Sequence, residues 1–258
     1  MDIAGAEKLA NESGNGFQSR VANAFRKLNW AVLISPFYVD SSTDKTRELD
    51  MIVEKRALVQ GWVGAPQSIH VRLFIECKYI AQGTVFWVDS IDEPQARDWI
   101  HSHTCFPPNN VYTNSHHYLT RGPDVAKLFA TERQKGDEND PMFRTINQCL
   151  HGFVHNKSRD LLISASRASN VTNLDYPVVM CSSFADNFYQ TRMQNPAAQP
   201  VPITTDFAFE VNYAYTRPSG STAREYFLLD IVDFTKLDDF LNRIDQEISA
   251  ATSIVVTA

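Results

Sequence analysis

Val71-Arg72-Leu73-Phe74-Ile75-Glu76-Cys77-Lys78-Tyr79-Ile80 is the stretch on which the reading of the whole chain turns. It is apolar enough for a buried strand, yet it closes on Glu76 and Lys78, two opposite charges two residues apart. Side chains at i and i+2 of a strand share a face, so Glu76 and Lys78 project together while Cys77 turns into the opposite layer. Burying a carboxylate and an ammonium in a sheet is costly without partners or a task. Upstream lies a second acidic segment, Glu48-Leu49-Asp50-Met51-Ile52-Val53-Glu54, and pairing of the two strands would bring Asp50 to the same cluster. Two carboxylates and a lysine are what a divalent cation and a hydrolytic water require. The plainer alternative is a sheet-edge ion pair between Glu76 and Lys78, with Asp50 a solvated strand residue.

Working outward, Phe17, Val21, Ala24, Phe25 and Leu28 form one stripe at 3.6-residue spacing and predict a helix over 17–28, with Gly14-Asn15-Gly16 breaking the chain before it. Gln18 lies on the shoulder of that stripe. Strands are predicted at 30–39 and 47–55, separated by the turn Asp40-Ser41-Ser42-Thr43-Asp44, and a connection over 57–69 leads to the strand at 71–80. The pattern is a helix followed by three strands in meander order. Beyond Lys78 the sequence predicts a short helix at 93–100 with Pro94 in its first turn, a strand at 110–114 and a helix at 123–131. A longer helix opens at Asp140-Pro141 and points Phe143, Ile146, Leu150, Phe153 and Val154 inward. After a linker over 156–175, strands are expected at 176–182, 205–215 and 226–232. A last helix follows, with Thr235 and Asp238 as a capping box and Leu237, Phe240, Leu241, Ile244 and Ile248 as its buried stripe.

The order helix, strand, strand with Asp50, strand with Glu76-x-Lys78, helix resembles the PD-(D/E)xK nuclease superfamily, the restriction-endonuclease-like fold. Gly16-Phe17-Gln18-Ser19-Arg20-Val21, Glu48-Leu49-Asp50-Met51-Ile52-Val53 and Phe74-Ile75-Glu76-Cys77-Lys78-Tyr79 look most like its Mrr-type and archaeal junction-resolvase-type branches. The likeness covers roughly the first 115 residues, with Val111-Tyr112-Thr113-Asn114-Ser115 in the place of the fourth core strand. It implies an α/β protein with a restriction-endonuclease-like core, a central mixed β-sheet flanked by helices, and C-terminal strands and a final helix that complete or extend the sheet. On this reading residues 1–160 are the nuclease core and residues 161–258 a C-terminal α/β extension packed on the same domain. The activity implied is Mg²⁺- or Mn²⁺-dependent hydrolysis of phosphodiester bonds in DNA, in restriction, defence or repair, by a cytoplasmic protein that often works as a homodimer.

The resemblance assigns Asp50, Glu76 and Lys78 as catalytic, and Asp50, Glu76 and the Cys77 backbone carbonyl as the metal ligands. Mg²⁺ takes oxygen ligands and keeps several waters, which suits so sparse a set. Lys78 would orient the water or stabilise charge on the phosphoryl oxygens. Many relatives carry a glutamate where Gln18 stands; glutamine offers only a carbonyl or a hydrogen bond to a bound water. Glu48, two residues from Asp50, is a second accessory candidate, and Gln95 and Arg97 are candidates for phosphate contacts. The alternative function is a nucleic-acid-binding or structural module that keeps the fold and cleaves weakly or not at all.

The composition is that of an ordinary soluble globular chain: 258 residues, 43% hydrophobic and 21% charged. No apolar run approaches the roughly 18 residues of a membrane span, and the N-terminus has no leader-like apolar core. Cys77, Cys105, Cys149 and Cys181 are scattered without a CxxC pair, as in a reducing compartment. The net charge of −6 does not favour nucleic acid, although Arg20, Arg26, Lys27, Lys45, Arg47, Lys55, Arg56, Arg72 and Lys78 crowd into the first eighty residues. The acidic excess falls partly in Asp137-Glu138-Asn139-Asp140 and in 230–247. His101, His103, Cys105, His116 and His117 invite a zinc reading; a polar loop with exposed imidazoles is the preferred one. Most of the aromatics, Trp62, Trp87 and Trp99 among them, are expected in the core.

Overall fold

The computed structural model describes residues 1–41, 43–59, 67–80, 82–132, 140–159, 162–163, 170–195, 197–217 and 219–257. Trp62, the acidic run 137–139, the middle of the 57–69 connection and most of the 160–169 linker lie outside them. Two helices open the chain, α1 (Ile3–Glu12) and α2 (Gly14–Lys27). Ser13 separates them and its hydroxyl accepts the Gly16 N–H at 3.0 Å. Gly14, Asn15 and Gly16 thus form the first turn of α2 instead of breaking the chain.

The strand expected at 30–39 is two, β1 (Ala31–Ile34) and β2 (Phe37–Asp40), and the one at 47–55 is also two, β3 (Lys45–Glu48) and β4 (Met51–Val59). β1 pairs antiparallel with β4 and β2 with β3, so 31–54 is one long ribbon folded sharply at Ser35-Pro36 and Leu49-Asp50. Ser35 takes a positive φ of 53° at the fold, and proline has no N–H to carry the ladder across it. β5 (Gln67–Lys78) pairs antiparallel with β4 in the expected meander.

Then come β6 (Thr84–Ser90), α3 (Glu93–His103), α4 (Val111–Asn114), α5 (His117–Thr120), β7 (Asp124–Thr131) and α6 (Pro141–Asn156). The remainder is β8 (Asn170–Cys181), β9 (Phe188–Arg192), β10 (Val201–Pro202), β11 (Phe207–Thr216), β12 (Thr222–Asp233) and α7 (Leu237–Thr257). Among the described residues ten strands form one mixed sheet in the order β1-β4-β5-β8-β12-β11-β7-β6-β9-β10. β5, β8 and β12 run parallel side by side. β5 is therefore an interior strand, and Glu76 and Lys78 stand at its C-terminal end, not on a sheet edge.

Four local expectations are overturned. Val111–Asn114 is a helical turn, capped by the Asn110 side chain accepting the Tyr112 N–H at 2.9 Å, and not a fourth core strand. Asp124–Thr131 is a strand, not a helix: Val125, Leu128 and Phe129 mimic helical spacing, but Leu128 is exposed and pairing with β6 and β11 decides. Phe143 is likewise exposed on α6, while Ile146, Leu150 and Phe153 are buried as expected. The final helix is introduced by Asp233, whose carboxylate accepts the Thr235 N–H at 2.8 Å and hydroxyl at 2.7 Å, in place of the Thr235–Asp238 box.

Strand alternation sorts the core into two layers. Val71, Leu73 and Ile75 of β5 face α2, α3 and α7, together with Phe17, Val21, Ile100 and Phe240. Phe74 and Ile52 face α6, together with Cys149, Leu150 and Phe153. On that second side Arg72 clamps Asp175 through two bonds of 2.7 and 2.8 Å, which satisfies a buried charge pair that would be costly alone. Among the described residues no helix is long and apolar enough to cross a membrane.

Candidate active site

Register places the acidic groups. Met51 stands opposite Ile75, so Asp50 lies across from Glu76 at the point where β4 turns away from β5. Glu76 and Lys78 share the Phe74 side of the sheet, toward α6, by alternation. Asp50 is held from three directions. Its carboxylate accepts the Cys77 backbone N–H at 2.7 Å, and its main-chain carbonyl accepts the Ser35 N–H at 2.9 Å and the Gln18 side-chain amide at 2.7 Å. The Cys77 carbonyl leaves the strand on the same side as its N–H, facing the Asp50 bend.

Close packing fixes that bend. Leu49 is fully buried under α6, and a Cβ on Gly152 would come within 2.6 Å of Leu49 Cδ1. Only a glycine lets the helix approach so near.

The electrostatics are those of two carboxyls that resist ionising together. Burial raises Asp50 to about 6, against the opposing Cys77 N–H, and Glu48 adds to the rise. Glu76, 7% exposed, is pushed well above the usual carboxylate range by burial and then by Asp50; Glu48 raises it further and Lys78 opposes. Lys78 is half-buried and its ammonium is lowered by burial, with Cys181 and Glu76 pulling it back. Glu76 Oε2 is buried with no hydrogen-bond partner. An orphaned, buried carboxylate oxygen beside a second carboxyl is a site that a divalent cation satisfies and water-free protein does not. Oxygen donors of this kind are the type that Mg²⁺ or Mn²⁺ takes. Glu48 is close enough to raise both carboxyls, though the three do not draw into one set of ligand atoms within 4.8 Å.

Other residues singled out in the sequence lie elsewhere. Gln95 and Arg97 are on α3, which packs on the opposite side of the sheet from Glu76. Gln95 Nε2 donates to Asp92 at 2.6 Å, and the Arg97 guanidinium donates to Glu93 and Asn114 at 2.6 and 2.8 Å. Several cations of the first eighty residues are likewise engaged within the protein, Arg47 with Asp40, Lys55 with Asp245 and Arg72 with Asp175.

His116 and His117 are buried, contrary to the exposed-loop reading. With Glu247 they make the only group of three metal-ligating side chains that draws together among the described residues. His117 Nδ1 is 2.6 Å from Glu247 and Nε2 is 3.2 Å from both Asp230 oxygens. Burial works against charge on His117, but Glu247 and Asp230 outweigh it and hold the pKa above that of an ordinary histidine. Arg121 bridges Asp230 and Asp206, and Arg243 adds to Asp206. Three carboxylates thus meet two guanidiniums and His117, a cluster that ties α5, β12 and α7 together. Glu247 and Asp230 lie 130 and 113 residues beyond His117, too far for any spacing rule to link them to it in the sequence.

No family model, no curated protein and no solved structure matches the chain.

Proposed function

We propose that the chain is a divalent-metal-dependent nuclease of the PD-(D/E)xK type that hydrolyses phosphodiester bonds in DNA. The observation that carries this reading is the pairing of Asp50 with Glu76, two carboxyls of raised pKa on adjacent strands, one oxygen of which has no partner, beside Lys78. Asp50, Glu76 and the Cys77 carbonyl would hold Mg²⁺ or Mn²⁺, with Glu48 as a reserve of negative charge. A bound divalent ion supplies an activated water and offsets charge on the phosphate. The Cys77 N–H fixes one Asp50 oxygen and leaves the other free to ligate. Lys78, on the side of the sheet that carries Glu76, donates a proton-bearing nitrogen to the phosphoryl oxygens as their charge develops. Gln18 acts through the main chain, holding the Asp50 bend by its carbonyl. A cytoplasmic setting and a homodimer belong to the same proposal.

A second reading, a DNA-binding or structural module without cleavage, is favoured by one observation: the Gln18 NH₂ faces the Asp50 bend where a glutamate ligand would stand. Incubating the protein with supercoiled, linear and single-stranded DNA, with Mg²⁺ or Mn²⁺ and with chelator, separates the two. Metal-dependent cleavage supports the nuclease; binding without cleavage under every condition supports the module.

A further inference from the structure

A cleft of about 210 Å³ opens beside Lys78, between the end of β5, the facing strands β6 and β7 and the start of α6. Its lining is chemically mixed in a specific way. Ile80 and Met142 give apolar walls, Gln82 gives an amide, and Thr131 gives a hydroxyl already placed by a 3.2 Å bond to Asp140. Tyr79 borders it and is 41% exposed, and Lys78 contributes the cation. Asp50 and Glu76 do not line it, so it meets the proposed hydrolytic cluster at Lys78 alone.

Pockets that enclose a whole small ligand run to roughly 300–1,000 Å³. This one is smaller and suits a single planar fragment of something larger. Apolar side chains, an amide, a hydroxyl, an exposed tyrosine ring and a cation are groups that can receive a nucleobase attached to its phosphate. We infer that the cleft seats one unstacked base of the DNA strand, next to the phosphate that Lys78 addresses, and that the substrate is therefore single-stranded or locally unpaired. A base within a duplex has both faces stacked and its edge paired, and it enters such a cleft only after leaving the stack. The inference rests on the nuclease reading of Lys78.

The test is fluorescence anisotropy, in chelator, with a short fluorescein-labelled oligodeoxythymidylate and with its blunt duplex, for wild type, Tyr79→Ala and Gln82→Ala. Single strand should bind more tightly than duplex, and each variant should weaken single-strand binding on the order of tenfold while duplex binding and thermal unfolding stay unchanged. Equal binding of the two forms, or variants indistinguishable from wild type, overturns the inference. Parallel cleavage with Mn²⁺ keeps its failure apart from that of the nuclease reading. Blunt duplex cut as fast as single strand removes the cleft's role and leaves the nuclease standing. Absence of cleavage on any DNA removes the nuclease and with it the inference.

Discussion

The Asp50 carboxylate accepts the Cys77 backbone N–H at 2.7 Å, taking the ladder position that β4 gives up where it turns away from β5. One side chain therefore closes the end of the strand pair and stands across from Glu76. The arrangement is stable only at a cost, because it buries two carboxyls side by side.

That cost is measurable. A carboxyl whose pKa is higher folded than unfolded binds its proton more tightly in the native state. The stability it contributes is complete below the unfolded value of 3.8 and is lost as pH rises through about 6. At neutral pH the ionised Asp50 is a liability of up to about 3 kcal/mol, at about 1.4 kcal/mol per pKa unit. Asp50→Asn keeps an oxygen for the Cys77 N–H and should raise the melting temperature at pH 7.5 but not at pH 4. Calorimetric unfolding at the two pH values decides, and equal melting temperatures for the variant and wild type at pH 7.5 would count against the raised Asp50.

Gln18→Glu replaces the donor that holds the Asp50 carbonyl with an acceptor. Loss of that hydrogen bond should destabilise the protein by about 1 kcal/mol in chelator, and Mn²⁺ should restore more stability to the variant than to wild type. Denaturant titration with and without Mn²⁺ reads both effects. A variant as stable as wild type in chelator would remove Gln18 from the support of the bend.

Gly152→Ala would drive a methyl into Leu49. Overpacking of this kind costs about 1–3 kcal/mol, and because Leu49 precedes Asp50 the change should also weaken metal binding. The same loss of stability with unaltered metal affinity would show that the helix contact does not set the Asp50 position.

Glu247→Gln should destabilise by about 3–5 kcal/mol, since it removes the carboxylate that offsets the burial of His117. Glu247 is opposed by burial but held down to about 2 by the two histidines. Its contribution is present above its ordinary value of 4.5 and is lost as pH falls through about 2. The His117 contribution has the opposite sense, present below 6.5 and lost as pH rises beyond its elevated folded value. Denaturant unfolding across pH checks both. A neutral Glu247→Gln would contradict the structural role of the cluster.

The candidate site was legible in the sequence because its logic is short-range: alternation along β5 sets Glu76 and Lys78 on one side, and the meander sets Asp50 opposite. What supports it was not. Ser35 and Pro36 bend the ribbon where an unbroken run from 30 to 39 reads as one strand, and nothing near Asp50 announces that Gly152 must be small. Val125, Leu128 and Phe129 have helical spacing in a segment that β6 and β11 recruit as a strand, because cross-strand pairing outweighs a local pattern. Val111–Asn114 failed the other way, an apolar and β-prone tetrapeptide turned helical by the Asn110 cap. The His117 cluster draws on four distant segments, and no spacing rule links them.

The central claim is a division of labour between Asp50 and Lys78, and metal titration paired with single-turnover cleavage of DNA tests it most directly. Asp50→Asn should lose Mn²⁺ binding and cleavage together, because it leaves one carboxylate and a carbonyl for a cation that gives up water reluctantly. Lys78→Ala should bind Mn²⁺ at least as well as wild type, having shed a nearby positive charge, and should cleave about a hundred- to a thousandfold more slowly. Wild-type cleavage by Lys78→Ala, or undiminished Mn²⁺ affinity in Asp50→Asn, would contradict the account.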